Sequence, residues 1–309
     1  MSSRDYQVII IGGGPAGLTA GIYTARAGLR TILFEKKIPG GQILNTDIIE
    51  NYPGFEGITG FELAQKIEKQ ARVAGLEIAS EEVQQFKVEE GMKFVRTNKD
   101  AYRAPVVIIC TGGEPAEINV PGEKDFWGKG VSYCAVCDGP LYRDKEVAVV
   151  GGGDAAVSEA LFLTKYVNKV YLIHRRDRLR SMLHLQKRAF SNEKIEMIWN
   201  NVIKEIKGDD TVRAILLENR KTDENRELSV EGVFIYIGFR PTSEIFKEWI
   251  KTDKAGYIVT NEKMETSIPG IFAAGDIRAQ LVRQITNAVG NATTAAIAAE
   301  NYLLEKGFL

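Results

Sequence analysis

Twice in this chain a short run of β-branched apolar residues gives way to clustered glycines and then to an Ala- and Leu-rich stretch. In the first copy Tyr6-Gln-Val-Ile-Ile-Ile11 leads into Gly12-Gly13-Gly14-Pro15-Ala16-Gly17. Leu18 to Ala27 follows, Gly28 closes it, and Thr31-Ile-Leu-Phe-Glu35 is the next apolar run. Such runs, bounded by turns, read as buried parallel strands, and the stretch between them reads as a helix. A strand that feeds a helix through glycines makes a phosphate cradle. Gly12 supplies the tight turn, Gly14 lets the backbone approach a pyrophosphate, and Gly17 lets the helix pack on the strand. The free N–H groups and positive dipole end of the helix then face the phosphates. Glu35 stands where a carboxylate accepts from ribose hydroxyls. A lone glycine pattern is weakly specific; the strands around it and the acid after it make it a dinucleotide site.

The second copy starts at Glu146-Val-Ala-Val-Val150 and runs through Gly151, Gly153, Asp154 and Ala156 into a helix expected to reach about Tyr166. Lys169-Val-Tyr-Leu-Ile-His174 is its second strand. No acid ends that strand. His174-Arg175-Arg176 does, with Arg180 four residues after Arg176. A carboxylate repels a 2′-phosphate, whereas guanidinium groups bind one in a bidentate, charge-assisted way. The first site therefore favours a free ribose and the second favours NADPH over NADH. Solvated surface charge is the competing account of the arginines, and their position at a strand end weighs against it.

Three later segments complete the pattern. Val106-Val-Ile-Ile-Cys110-Thr111-Gly112 is a buried strand ending in a glycine turn, and Gly232-Val-Phe-Ile-Tyr-Ile-Gly238 is its counterpart in the second copy. Ile268 to Gly275-Asp276 reads as a strand and a turn carrying an acid, and Val282 to Leu304 reads as an Ala-rich helix. The expected fold is α/β: two nested Rossmann-like dinucleotide-binding domains, the second inserted into the first. The first comprises residues 1–114 and 242–309 and the second residues 115–241, with candidate hinges at Gly113–Pro115 and Pro241–Thr242. A length of 309 residues fits two domains of about 150 each.

Charge narrows the function classes. With 40 Lys+Arg against 41 Asp+Glu, no overall field recruits nucleic acid or an anionic membrane. No run approaches the ~18 apolar residues of a membrane span, and no export signal is visible, which leaves a cytoplasmic protein as the expectation. The three cysteines cannot build a disulfide framework. Cys134-Ala-Val-Cys137-Asp138 reads better as a redox dithiol than as half a zinc site. A structural zinc needs four ligands, and only Cys110 and two histidines remain, so no metal is expected. Cys110 lies in a buried strand and reads as inert. Asp138 gives the dithiol a proton donor and acceptor; a turn acid or helix cap is its plain structural alternative.

Taken together, Gly12-x-Gly14-x-x-Gly17, Gly40-Gly41-Gln42, Asn51-Tyr52-Pro53-Gly54, Thr111-Gly112, Cys134-x-x-Cys137-Asp138, His174-Arg175-Arg176 with Arg180, and Gly275-Asp276 with Arg283-Gln284 resemble the low-molecular-weight thioredoxin reductases. These are class II pyridine nucleotide-disulfide oxidoreductases, and the match covers nearly the whole chain. The resemblance implies FAD in the first site, near Gly41, Gln42, Asn51, Thr111, Gly112, Gly275, Asp276, Arg283, Gln284 and Ile285, with Arg283 near the start of the final helix. It implies NADPH in the second site, and a homodimer. Electrons would pass from NADPH to FAD, to the Cys134–Cys137 disulfide, and to a disulfide of thioredoxin or a thioredoxin- or glutaredoxin-like protein. In that scheme Cys137 faces the flavin, Cys134 attacks the partner, Asp138 handles the proton, and the inserted domain rotates between half-reactions. Two departures stand out. Pro140-Leu141 replace a Phe-Phe pair implicated in docking thioredoxin, and Ala155 replaces a Ser or Thr of the second loop. A flavin subunit serving a peroxidase, a thiol oxidase and a non-catalytic flavin sensor are the rival readings.

Overall fold

Val8–Ile11, every residue buried, forms the middle strand of a five-stranded parallel sheet in the computed structural model, which describes residues 4–46 and 48–309. The strand order is Ile271–Ala273, Val106–Ile109, Val8–Ile11, Thr31–Glu35, Glu77–Ser80. Because strand side chains alternate between faces, Val8 and Ile10 join Leu33 in one cluster with Leu18, Leu63 and Ala292 of three helices, Pro15–Arg26, Gly60–Val73 and Ile285–Glu305. Ile9 and Ile11 join Ile32 and Phe34 on the other face, against Phe86, Val95 and Tyr102. Those three come from an antiparallel meander, Val83–Glu89, Met92–Thr97 and Ala101–Ala104.

The same plan recurs. A second parallel sheet runs Val131–Ser132, Gly232–Tyr236, Glu146–Gly151, Lys169–His174, Ile195–Trp199. Val147 and Val149 pack with the helices Asp154–Leu163 and Leu183–Phe190. Ala148 and Val150 pack with an antiparallel meander of Asn201–Gly208, Val212–Asn219 and Asn225–Ser229. Both meanders escape the sequence reading, which follows only the strands next to glycine turns. Among the described residues, no helix is long and apolar enough to cross a membrane.

The chain divides into two units, the residues up to Glu114 with Arg240–Leu309, and Pro115–Phe239. The return crossing falls two residues before the Pro241–Thr242 expected from the prolines. Gly113–Pro115 and Phe239–Pro241 pair as a two-stranded ladder, so Pro241 is already engaged when the chain returns. Thr242 N–H then donates to the Gly112 carbonyl at 3.1 Å, and Ala116 N–H to the Gly238 carbonyl at 2.8 Å.

Helix ends differ from expectation for local reasons. The first helix begins at Pro15, whose fixed φ and missing N–H suit the first helical position. The second-copy helix stops at Leu163, not Tyr166. The final helix begins at Ile285 rather than Val282, because Gln284 is extended (φ −138°, ψ 154°) and stands as its N-cap.

Gly17 and Ala156 occupy matching places, and only one tolerates a Cβ. A Cβ on Gly17 would fall on the Gly12 carbonyl oxygen. Gly17→Ala is therefore expected to lose about 1–3 kcal/mol of stability through overpacking. Ala156→Gly is expected to lose only about 1 kcal/mol, the helix-interior glycine cost. Chemical denaturation of the two variants checks the ranking.

Candidate active site

Gly12 takes φ +105°, and a Cβ there would fall on the Cys110 carbonyl oxygen, so the turn meets the end of the neighbouring strand through backbone alone. Around Gly14 the space is free of side chains: the nearest atom a Cβ would meet is the Gly41 Cα, at 3.8 Å. No side chain caps the helix Pro15–Arg26. Glu35 has a task the sequence reading missed. Its Oε2 accepts the Gly13 N–H at 2.7 Å and its Oε1 the Lys37 N–H at 2.9 Å, so the carboxylate ties the loop to the strand end.

Parallel strands end at a common edge, which brings the other first-site residues to this loop. Thr111, with Gly112 after Val106–Ile109, donates its hydroxyl to the Thr242 carbonyl at 2.8 Å and so anchors the returning chain. A Cβ on Gly275 would stand 2.9 Å from the Ala16 Cβ, which puts Gly275-Asp276 against the first turn of the helix. Asp276 Oδ1 is buried without a partner, and burial pushes its carboxyl upward while Arg283 pulls it down. A buried polar atom left unpaired in this way suits a ligand hydroxyl.

The remaining residues form two small groups. Asn51 Nδ2 donates to Gln284 Oε1 at 3.1 Å. Gln42 Nε2 donates to the Gly113 carbonyl at 2.9 Å. Arg283 stands just before the N-cap Gln284 of the final helix, and its guanidinium stacks over the Tyr257 ring, 4.1 Å from its centroid.

The second loop repeats the geometry. A Cβ on Gly151 would fall on the Tyr236 carbonyl oxygen, whereas one on Gly153 would meet nothing within 4 Å. In both copies the residue ending the second strand covers the middle glycine, Glu35 over Gly13 and His174 over Gly152. His174 is buried and hydrogen-bonded to the Gly151 backbone, and its Nε2 has no partner. Burial first, then the charges of Arg180, Arg175 and Arg176, lower its proton affinity and keep the imidazole neutral at pH 7. All three guanidinium groups are exposed. Arg180 N–H donates to the Gly152 carbonyl at 2.7 Å, and Asp154 Oδ1 accepts the Met182 N–H at 2.7 Å. Those two bonds draw the third arginine onto the loop.

Cys134 and Cys137 form a disulfide. They follow Val131–Ser132, which pairs with Gly232–Tyr236, itself paired with Glu146–Gly151, so the dithiol leaves the same sheet edge as the second loop. Cys134 is half-buried and caps the short helix Ala135–Asp138, its Sγ accepting the Cys137 N–H at 3.1 Å. Cys137 is exposed. Asp138 donates its N–H to the Cys134 carbonyl at 3.1 Å, and its charge adds to the burial that raises the Tyr142 hydroxyl. Among the described residues, no group of His, Cys, Asp and Glu is placed to hold a metal.

The three thiols are thus in unlike settings. Burial pushes the Cys110 thiol up to about 12, which leaves it inert in the folded chain. Alkylation near pH 8 is expected to label no cysteine of the folded, oxidised protein, Cys134 and Cys137 after reduction, and Cys110 only on unfolding. Mass spectrometry of the labelled peptides checks the order.

Comparison with known proteins agrees with this architecture. Residues 6–292 match the pyridine nucleotide-disulphide oxidoreductase family model. A thioredoxin reductase of Bacillus subtilis is 48% identical over 303 residues, 98% of this chain and 96% of that protein. Among solved structures, the Lactococcus lactis thioredoxin reductase in its FR conformation superposes with TM-score 0.95 at 46% identity, covering 97% of this chain and 99% of that one. The T. acidophilum thioredoxin reductase gives TM-score 0.93 at 34% identity, covering 98% of this chain and 100% of that one. With a parallel-sheet nucleotide loop in each unit and a disulfide at the edge of one of them, this chain belongs to the pyridine nucleotide-disulphide oxidoreductases, a family that works with a flavin and a pyridine nucleotide.

Proposed function

We propose that this chain is an NADPH-dependent thioredoxin-disulfide reductase that uses FAD. The observation that carries the reading is the Cys134–Cys137 disulfide on the same sheet edge as the Gly151 loop and its arginines. The Gly12–Gly17 loop and the uncapped helix after it would hold the pyrophosphate of FAD. Glu35 would accept from its ribose, and Asp276 would give its unpaired oxygen to a hydroxyl of the ribityl chain. When bound, the flavin supplies two-electron transfer between dihydronicotinamide and disulfide.

The chain's own residues do the rest. Arg175, Arg176 and Arg180 bind the 2′-phosphate, beside a neutral His174 that lends no charge of its own. Two electrons and one proton open Cys134–Cys137 to one thiol and one thiolate. The thiolate attacks the partner's disulfide, a mixed disulfide forms, and one partner sulfur leaves as thiolate. The second cysteine then attacks the mixed disulfide, which restores Cys134–Cys137 and releases the reduced partner. Asp138 holds and returns the proton. The resemblance makes Cys134 the attacking sulfur and Cys137 the resolving one, although Cys137 is the more exposed. The paired crossings serve as the hinge on which the inserted unit turns, and a homodimer belongs to the same proposal.

Anaerobic titration is expected to take up about four electrons per subunit, two for the flavin and two for the disulfide. A colourless protein that refuses flavin would end the proposal. Arg175→Ala and Arg176→Ala are each expected to raise the KM for NADPH about tenfold, the loss of one charge-assisted contact, and to leave NADH little changed. Cys137→Ser is expected to trap a stable mixed disulfide with thioredoxin; trapping by Cys134→Ser instead reverses the two sulfur roles.

A further inference from the structure

The backbone around Cys134 is held on both sides. Its N–H donates to Ser132 Oγ at 3.0 Å, and the Ser132 hydroxyl reaches back to its carbonyl at a longer 3.3 Å. The same carbonyl accepts the Asp138 N–H. On the other side, the Ala135 N–H donates to Tyr236 Oη at 2.6 Å. Ser132 and Ala135 are buried, at 3% and 0% exposure, while Cys134 and Tyr236 are half-buried, so both bonds are partly shielded from solvent.

Tyr236 reaches this amide across about a hundred residues because of its place in the sheet. It ends the strand Gly232–Tyr236, which lies between Val131–Ser132 and Glu146–Gly151, and pairs with Gly151, and its carbonyl fills the space a Cβ on Gly151 would need. Its hydroxyl remains a neutral phenol, since burial and then the charge of Glu159 push its ionisation up, with a smaller push from Asp138. A neutral phenol both accepts and donates.

We propose that Tyr236 and Ser132 are positioning residues that fix the Cys134 backbone throughout the redox cycle. This deepens the proposed function and rests on its reading of Cys134–Cys137 as the reacting pair. Closing that pair forms the S–S bond and removes two electrons and two protons, which reduce the partner's disulfide to two thiols. A sulfur already held in place loses little freedom on closure, so the clamp raises its effective concentration toward Cys137 or toward a mixed disulfide. Without the clamp, closure becomes less favourable and the mixed disulfide persists.

The test uses the flavin-loaded Tyr236→Phe and Ser132→Ala proteins, equilibrated anaerobically in glutathione redox buffers and acid-quenched. In Tyr236→Phe the constant for closing Cys134–Cys137 is expected to fall about tenfold, with the singly glutathionylated form accumulating. The kcat with thioredoxin should fall while KM stays within about twofold, and NADPH-driven reduction of a dye that bypasses the dithiol should not change. A response in one variant alone assigns the clamp to that residue. Closing constants within about twofold of wild type in both variants overturn the proposal even if kcat falls, and so does an equal loss of dye reduction. If the wild-type protein fails to reduce thioredoxin but its closing constant still drops in the variants, the substrate reading fails and the clamp stands.

Discussion

In each unit the turn that ends the first strand lies so close to the end of the neighbouring strand that no side chain fits between them. At Gly12 the obstacle is the Cys110 carbonyl, and at Gly151 it is the Tyr236 carbonyl; both belong to the next strand of the sheet. This contact is backbone against backbone, so only glycine satisfies it. Once the contact is made, the helix must open at the carboxyl edge of the sheet, and parallel order brings every neighbouring strand to the same edge. Thr111, Asp276 and Glu35 arrive there in one unit; His174, Tyr236 and the dithiol segment arrive there in the other. Function is gathered from distant parts of the chain because the strands point the same way.

That dependence explains what was legible in the sequence. The glycine loops, the strands beside them and the Cys134-x-x-Cys137 pair each carry a local signal that physics makes hard to replace. The nested order was legible too, since Val106–Ile109 and Gly232–Tyr236 are short β-branched apolar runs that end in glycine turns, as buried parallel strands do. The meanders were not, because Val83–Glu89 and Asn201–Gly208 mix apolar and charged residues without a turn motif to mark them. The final helix starts at Ile285, three residues after Val282, because an Ala-rich run does not mark its own first residue and Gln284 is a poor cap by type. Tyr236 reads in the sequence as one more strand aromatic. Its bond to Ala135 joins residues that only the sheet order brings together, and no spacing along the chain encodes it.

The cysteines make the same point at the scale of one functional group. Cys110 and Cys134 both follow strands of a parallel sheet. Cys110 sits within the close contact under Gly12 and Gly17, where burial removes its thiolate from reach. Cys134 lies two residues beyond its strand, half-buried, as the cap of a short helix with its backbone fixed. Reactivity follows burial: the thiol under the close contact is shut away, and the half-buried one beyond it is not.

One substitution in an otherwise repeated device separates the two nucleotide sites. Glu35 and His174 both lie over the middle glycine of their loops, at the end of the second strand. Glu35 accepts two backbone N–H groups there, which hold a negative charge beside the first loop. A phosphate on the neighbouring ribose would meet that charge at close range, whereas a free hydroxyl donates to it. His174 gives the second loop the same backbone support with no charge, because the surrounding arginines and its own burial keep it neutral. The guanidinium groups then act on a ligand without an internal carboxylate to quench them. On the proposed assignment, the choice between FAD and NADPH follows from whether the side chain that braces the loop is an anion or a neutral ring.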